Sequence, residues 1–101
     1  MFERSKQRYV TKGVAKELSK EIQDILWNWI EEQSENGRVL DYFQVFYIRP
    51  NGKEVKIINK QEVPPMTKEM IFQVSIPLAK EYTVWLIDDI EYCIMLFPEE
   101  Y

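Results

Sequence analysis

Chemistry in a chain of 101 residues that has no histidine must come from carboxylates, from the one thiol or from a basic cluster. Asp88, Asp89 and Glu91 crowd one short stretch, and Asp41 and Glu62 border another. Groups spaced in this way could offer oxygen ligands to a divalent ion, or set two carboxyls against each other as acid and base. The Asp88 cluster lacks the alternating ligand spacing and the glycine of a calcium loop, so a solvated turn is the simpler reading and no metal site is assigned. Without histidine there is no Ser-His-Asp or Cys-His nucleophile and no His-based zinc site. Cys93 lies in the apolar run Tyr92 to Phe97, where a thiol behaves as a small hydrophobe, and no histidine is present to activate it. There is no Gly-Lys-Ser/Thr phosphate loop, and three glycines cannot build a dinucleotide turn. The chain is therefore expected not to be an enzyme and to need no cofactor.

The basic residues form the other candidate group. Residues 1–20 carry six lysines and arginines against two glutamates, whereas residues 81–101 carry six acidic residues and no base. Arg4, Lys6, Arg8 and Lys12, with Tyr9 among them, could contact phosphates, which makes a nucleic-acid-binding accessory protein the alternative reading. The net charge of −4 counts against it, and the simpler account is that the two oppositely charged ends lie near each other.

The elements that must position these groups follow from periodicity. Hydrophobic residues at 46% with charged residues at 30% suit one folded core, and the length suits a single domain over 1–101. No apolar run reaches the length that spans a bilayer, and Met1 to Lys6 lack a signal-peptide core, so a cytoplasmic protein with no membrane partner is expected; a single cysteine fits a reducing compartment. Leu40 to Asn59 reads as an antiparallel hairpin, with Pro50 at the first corner of the turn and Gly52 returning the chain. Tyr9-Val10-Thr11 suggests a short first strand. Leu18, Ile22, Ile25 and Trp29, widened by Leu26 and Ile30, predict one helix from about Ala15 to Gln33, stopped at Asn36 or Gly37. Pro64-Pro65 forces a turn or an extended crossing, and Gln61-Glu62 ahead of it would pin that crossing by hydrogen bonds. Alternation from Met70 to Ile76 predicts a third major strand, Leu78 to Tyr82 one helical turn, and Thr83–Ile87 with Tyr92–Phe97 a second hairpin in the middle of the sheet. The expected fold is α+β: a mainly antiparallel sheet of five or six strands, with one main N-terminal helix on one face.

Two features point to a partner. The strand beginning at Tyr42 is apolar on both faces, with Phe43, Val45 and Tyr47 on one and Tyr42, Gln44, Phe46 and Ile48 on the other; a helix covers one face, and the rest of the chain or a partner covers the other. Trp27 falls on the charged side of the helix, where it is either covered by another segment or free to anchor a partner. Trp27, Tyr42 and Phe46 are accordingly the candidate partner-binding residues.

The stretches Tyr9 to Val14, Leu26-Trp27, Leu40 to Phe46, Gln61 to Pro64, Ile87 to Asp89, Met95-Leu96 and Glu99 to Tyr101 give nearly the whole chain a resemblance. It resembles a family of small uncharacterised proteins of low-GC Gram-positive bacteria and their phages, domain of unknown function 960. Where relatives carry a glycine after Asp88-Asp89, this chain has Ile90. The resemblance implies a shared α+β fold and neither an activity nor a catalytic residue. The leading expectation is a small cytoplasmic protein-interaction module. Self-association into a homodimer is one form of it, and an inhibitor, phage- or prophage-encoded, that docks on a bacterial enzyme is a sharper one.

Overall fold

A computed structural model describes Phe2 and residues 6–101; Arg4 lies outside the described residues. The chain runs β1 (Gln7–Val10), α1 (Lys12–Glu17), α2 (Lys20–Glu35), β2 (Phe43–Asn51), β3 (Glu54–Gln61), β4 (Met66–Gln73), β5 (Tyr82–Asp88), β6 (Tyr92–Leu96) and a 3-10 turn at Pro98–Glu100. The strands form one sheet in the order β1-β6-β5-β2-β3-β4, antiparallel throughout except for β1 against β6. This is the expected α+β architecture, and the two predicted hairpins do meet in its middle through β2 and β5. The core lies between the helices and one face of the sheet: Val14, Leu18, Ile22, Leu26 and Ile30 pack with Phe46, Ile48, Val55, Ile57, Val84, Leu86 and Met95.

The single predicted helix is two. Leu18 is extended, at φ −107 and ψ 125. Each helix has its own N-cap, Thr11 accepting from the Val14 amide and Ser19 from the Ile22 amide. Serine competes for the backbone inside a helix and serves it well at a start, so Ser19 restarts the chain while Leu18 stays buried. The predicted stop is present, with Asn36 as C-cap and Gly37 at φ +76.

The first hairpin turns later than expected. Asn51 pairs with Glu54, leaving a two-residue turn at Gly52-Lys53, and Gly52 takes φ +65. Pro50 therefore belongs to β2, opposite Val55. It is tolerated there because the pairing of β2 with β5 ends at Ile48 and Tyr82, so no neighbour needs the missing N–H. Strand β4 starts four residues before Met70, straight after Pro65, because it pairs with β3 along its whole length from Met66 opposite Gln61 to Gln73 opposite Glu54. The helical turn expected at Leu78 to Tyr82 is absent; that stretch is irregular and Tyr82 already opens β5.

Candidate functional site

Direct pairing across the sheet sorts its side chains into two faces. Gln44, Phe46 and Ile48 of β2 are buried, since the helices lie on that face. Phe43, Val45 and Tyr47 are half-buried on the other. Phe46, named above as a partner contact, is fully buried and cannot be one. Both faces of this strand are apolar in sequence, so alternation left open which of them the helices cover; burial of Gln44 depends on partners from β3. The open face is built row by row: Tyr9 against Ile94, Ile94 against Ile87, Ile87 against Phe43, and beside this row Leu96 against Trp85 and Trp85 against Val45. Tyr47 against Thr83 begins a third row. None of these side chains is charged. Phe43 and Trp85 have ring centroids 4.9 Å apart, Trp85 and Tyr101 5.7 Å, and Tyr9 and Tyr92 5.6 Å. Tyr9 stays 50% exposed and Tyr101 83%, so the ring layer is a surface rather than a second core.

At one end of this face lies a cleft of about 640 Å³, walled by Tyr42, Phe43, Val45 and Tyr47 of the β2 region and by Lys60, Val63, Pro65 and Thr67 across from them. Tyr42, 53% exposed, stands at its mouth. A buried amide network fixes both walls. Gln44 Nε2 donates to the Asp41 carbonyl at 2.9 Å and to Gln61 Oε1 at 2.7 Å, and its own Oε1 accepts from Asn59 Nδ2 at 3.1 Å. Gln61 Nε2 reaches the carbonyls of Val39 and Pro64 at 3.0 and 2.9 Å, so this residue ties the two loops together. The Asp41 carboxylate accepts from the amides of Val63 at 3.1 Å and of Phe43 and Glu62 at 3.4 Å. Asp41, a candidate for carboxylate chemistry, thus holds backbone. The expected pinning of the Pro64 turn is present, carried by Gln61 and Asp41 while the Glu62 side chain is exposed.

The other candidate groups are held in the same way. Asp88 Oδ1 accepts from Lys6 Nζ at 2.7 Å and from Cys93 Sγ at 3.2 Å, and Oδ2 from the Phe2 amide at 3.1 Å. Burial by itself raises the Asp88 carboxyl, yet the donors from Lys6, Cys93 and Phe2 outweigh it and lower its pKa. Burial, reinforced by the hydrogen bond to Asp88, pushes the Cys93 thiol up to about 12, which leaves it un-ionised and unreactive at neutral pH. Asp89 accepts from the Ile90 amide, and among the described residues no three groups of His, Cys, Asp or Glu gather around a possible ion. Arg8 bonds to Glu31 and lies 5.0 Å from the Trp27 ring, which is 7% exposed. Of the two readings of Trp27, the covered one is correct, and a partner anchor there is ruled out by burial. The apolar stripe is rotated from the Ile25–Trp29 line toward Gln23, Leu26, Trp27 and Ile30, all buried, because β1 lies alongside the helix. Of the basic set, Lys6 and Arg8 face carboxylates, Lys12 is exposed at the start of α1, and Arg4 lies outside the described residues.

Residues 7–100 match the model of a family described as staphylococcal protein of unknown function (DUF960). The chain belongs to this family. It is also similar to a solved structure described as the protein of unknown function from Enterococcus faecalis, with a TM-score of 0.78 at 22% identity over 99% of this chain and 94% of that one. At that identity the likeness is one of fold. No curated protein matches. The stretches that carry the family resemblance in this chain meet in space: Leu40 to Phe46 with Gln61 to Pro64 through the amide network, and Thr11 with Glu100 at 2.7 Å. Among the described residues no helix is long and apolar enough to cross a membrane.

Proposed function

We propose that this chain is a cytoplasmic protein-interaction module that receives a partner protein on the open face of its sheet. The observation that carries the reading is the uncharged layer from Tyr9 to Tyr47, continuous over β1, β6, β5 and β2, with the Tyr42 cleft at its end. A surface of this make-up fits a partner that presents aliphatic and aromatic side chains with few charges, because an unpaired charge set against it would lose its water without gaining a counter-ion. The sharper form, an inhibitor that seats itself on an enzyme, needs only such a surface held rigid, and the amide network supplies that rigidity at the cleft. Affinity purification from the native host tests the reading, comparing wild type, a Tyr42→Ser/Tyr47→Ser variant and Lys20→Ala as a helix-side control. A protein retained by wild type and by the control, lost by the open-face variant and rebinding as purified components is the expected result. Equal retention by all three would remove the open face from consideration.

A further inference from the structure

Among the described residues, strand β4 closes one side of the sheet and has a single neighbour, β3. The Val74 amide donates to the Lys53 carbonyl at 3.2 Å. In an antiparallel ladder hydrogen-bonded pairs recur every second residue, so Phe72 with Val55 and Met70 with Ile57 are bonded pairs too. The residues between them, Thr67, Glu69, Ile71 and Gln73, turn their N–H and C=O groups away from β3. The register is unbroken over all eight residues, with no bulge and no proline. Native sheets blunt such an edge with bulges, prolines, short strands or charged residues, lysine above all; the opposite edge, β1, is only four residues long, whereas β4 confines its charges to Lys68 and Glu69 and ends in the uncharged Met70-Ile71-Phe72-Gln73, with Ile71 55% exposed.

A second copy of the chain offers a strand of identical length and twist, and charge ranks the ways two copies can pair. About a two-fold axis normal to the sheet each face continues onto the same face of the other copy, so a residue meets itself or one an even number of places away. An axis at Lys68 sets two ammonium groups opposite each other, and one at Glu69 two carboxylates; like charges placed so are destabilising. An axis at Met70 sets Lys68 against Phe72 and Glu69 against Ile71. An axis at Phe72 sets Ile71 against Gln73. Of these axes the one at Ile71 sets no like charges opposite each other and matches both faces within the strand. Ile71 meets its own counterpart on the open face, Met70 meets Phe72 on the helix face, and Glu69 meets Gln73, which can hydrogen-bond to it, while Lys68 faces Val74, one residue past the strand end. Ile71, Glu69 and Gln73 are also residues whose backbone groups point outward.

We propose that two copies pair antiparallel through β4 about an axis at Ile71, joining two six-stranded sheets into one continuous sheet. The helices of both copies then lie on one side and the two open faces on the other. This pairing is independent of what binds the open face.

Light scattering over a concentration series, on wild type and two variants, tests it. Ile71→Pro removes an outward N–H that β3 does not use, a position where an edge strand accepts proline, and Ile71→Lys sets two ammonium groups on the axis. Wild type is expected at twice the 12.2 kDa chain mass, and both variants at the chain mass with unchanged circular dichroism. Ile71→Cys is expected to give a covalent dimer with a short thiol-reactive bis-maleimide, with Cys93, 1% exposed, taking no part; this measurement decides the matter if either of the other variants unfolds. A wild type that stays monomeric throughout, a dimer that survives both Ile71→Pro and Ile71→Lys, or an Ile71→Cys protein that does not cross-link overturns the proposal. Tyr42→Ser/Tyr47→Ser leaves the dimer intact, so failure of the edge and failure of the open face can be told apart.

Discussion

Trp27 shows how one residue changes meaning between a helical wheel and a fold. On the wheel it shares a side with Glu31; in the molecule Arg8, from β1, pairs with Glu31 and covers the Trp27 ring at 5.0 Å. Trp27→Ala is therefore expected to destabilise the chain by about 3–5 kcal/mol, the range for removing a buried aromatic, while leaving association unchanged in whatever fraction remains folded. Denaturant titration alongside light scattering checks both. Asp88 carries a second expectation. Its folded pKa lies below the ordinary 3.8, so the stabilisation it provides is complete above that value and is lost as pH falls through the folded pKa. Asp88→Asn should cost about 1.5–3 kcal/mol at neutral pH, the worth of a hydrogen bond to a charged group, and its melting curve should approach that of wild type in acid. A gap that persists undiminished at low pH would show that the carboxylate charge does not carry the effect.

At the scale of elements, the two ends of the chain are joined through a helix start. The Glu100 carboxylate accepts from the Phe97 amide at 2.8 Å and from Thr11 Oγ1 at 2.7 Å, and the Phe97, Thr11 and Gly13 donors hold its pKa low. A Cβ at Gly13 would meet Glu100 Oε2, the far end of an exposed and flexible side chain, so alanine there has to displace that carboxylate from its place beside Phe97 and Thr11. Gly13→Ala should stabilise the chain by less than helix propensity alone gives, because it displaces the Glu100 carboxylate. In a Glu100→Ala background the same substitution should stabilise more, because alanine exceeds glycine in helix propensity by about 1 kcal/mol. A double-mutant cycle with no coupling would contradict this. Gln61 plays the joining part between β3 and the loops on either side of the cleft. Gln61→Ala strands the Val39 and Pro64 carbonyls and should cost about 2–3 kcal/mol, with faster amide exchange at Asp41 and Val63 as its local signature.

For the whole molecule, the division into a covered and an open face makes a salt experiment informative. Salt screens charges and leaves apolar contact in place, so association through the uncharged face should hold as ionic strength rises, whereas contacts from Lys12 and its neighbours to phosphates would weaken steeply. Tyr47→Ser is expected to reduce partner binding at a stability cost of about 1 kcal/mol, since the ring is half-buried on an interior strand beneath Lys60. A large loss of stability would mean that the ring layer is structural.

The order of the strands, both hairpins, the strand at Tyr9 and the helix stop at Asn36-Gly37 were legible in the sequence, because alternation, helical spacing and turn residues are local signals. Absence of histidine and a lone cysteine were equally legible, and they fixed which chemistry had to be weighed. Ser19 was a visible cap signal masked by the longer apolar stripe around it. The tertiary structure alone decided which face of β2 meets the helices, that Gln44 lies at 0% exposure and that Trp27 is covered. Periodicity states which residues share a face but not what lies on that face. Gln44 is buried because Asn59 and Gln61, fifteen and seventeen residues away, satisfy its amide, and Trp27 because a strand earlier in the chain brings Arg8 onto its ring. Those contacts exist only once the register between distant elements is set, and no local pattern encodes that register.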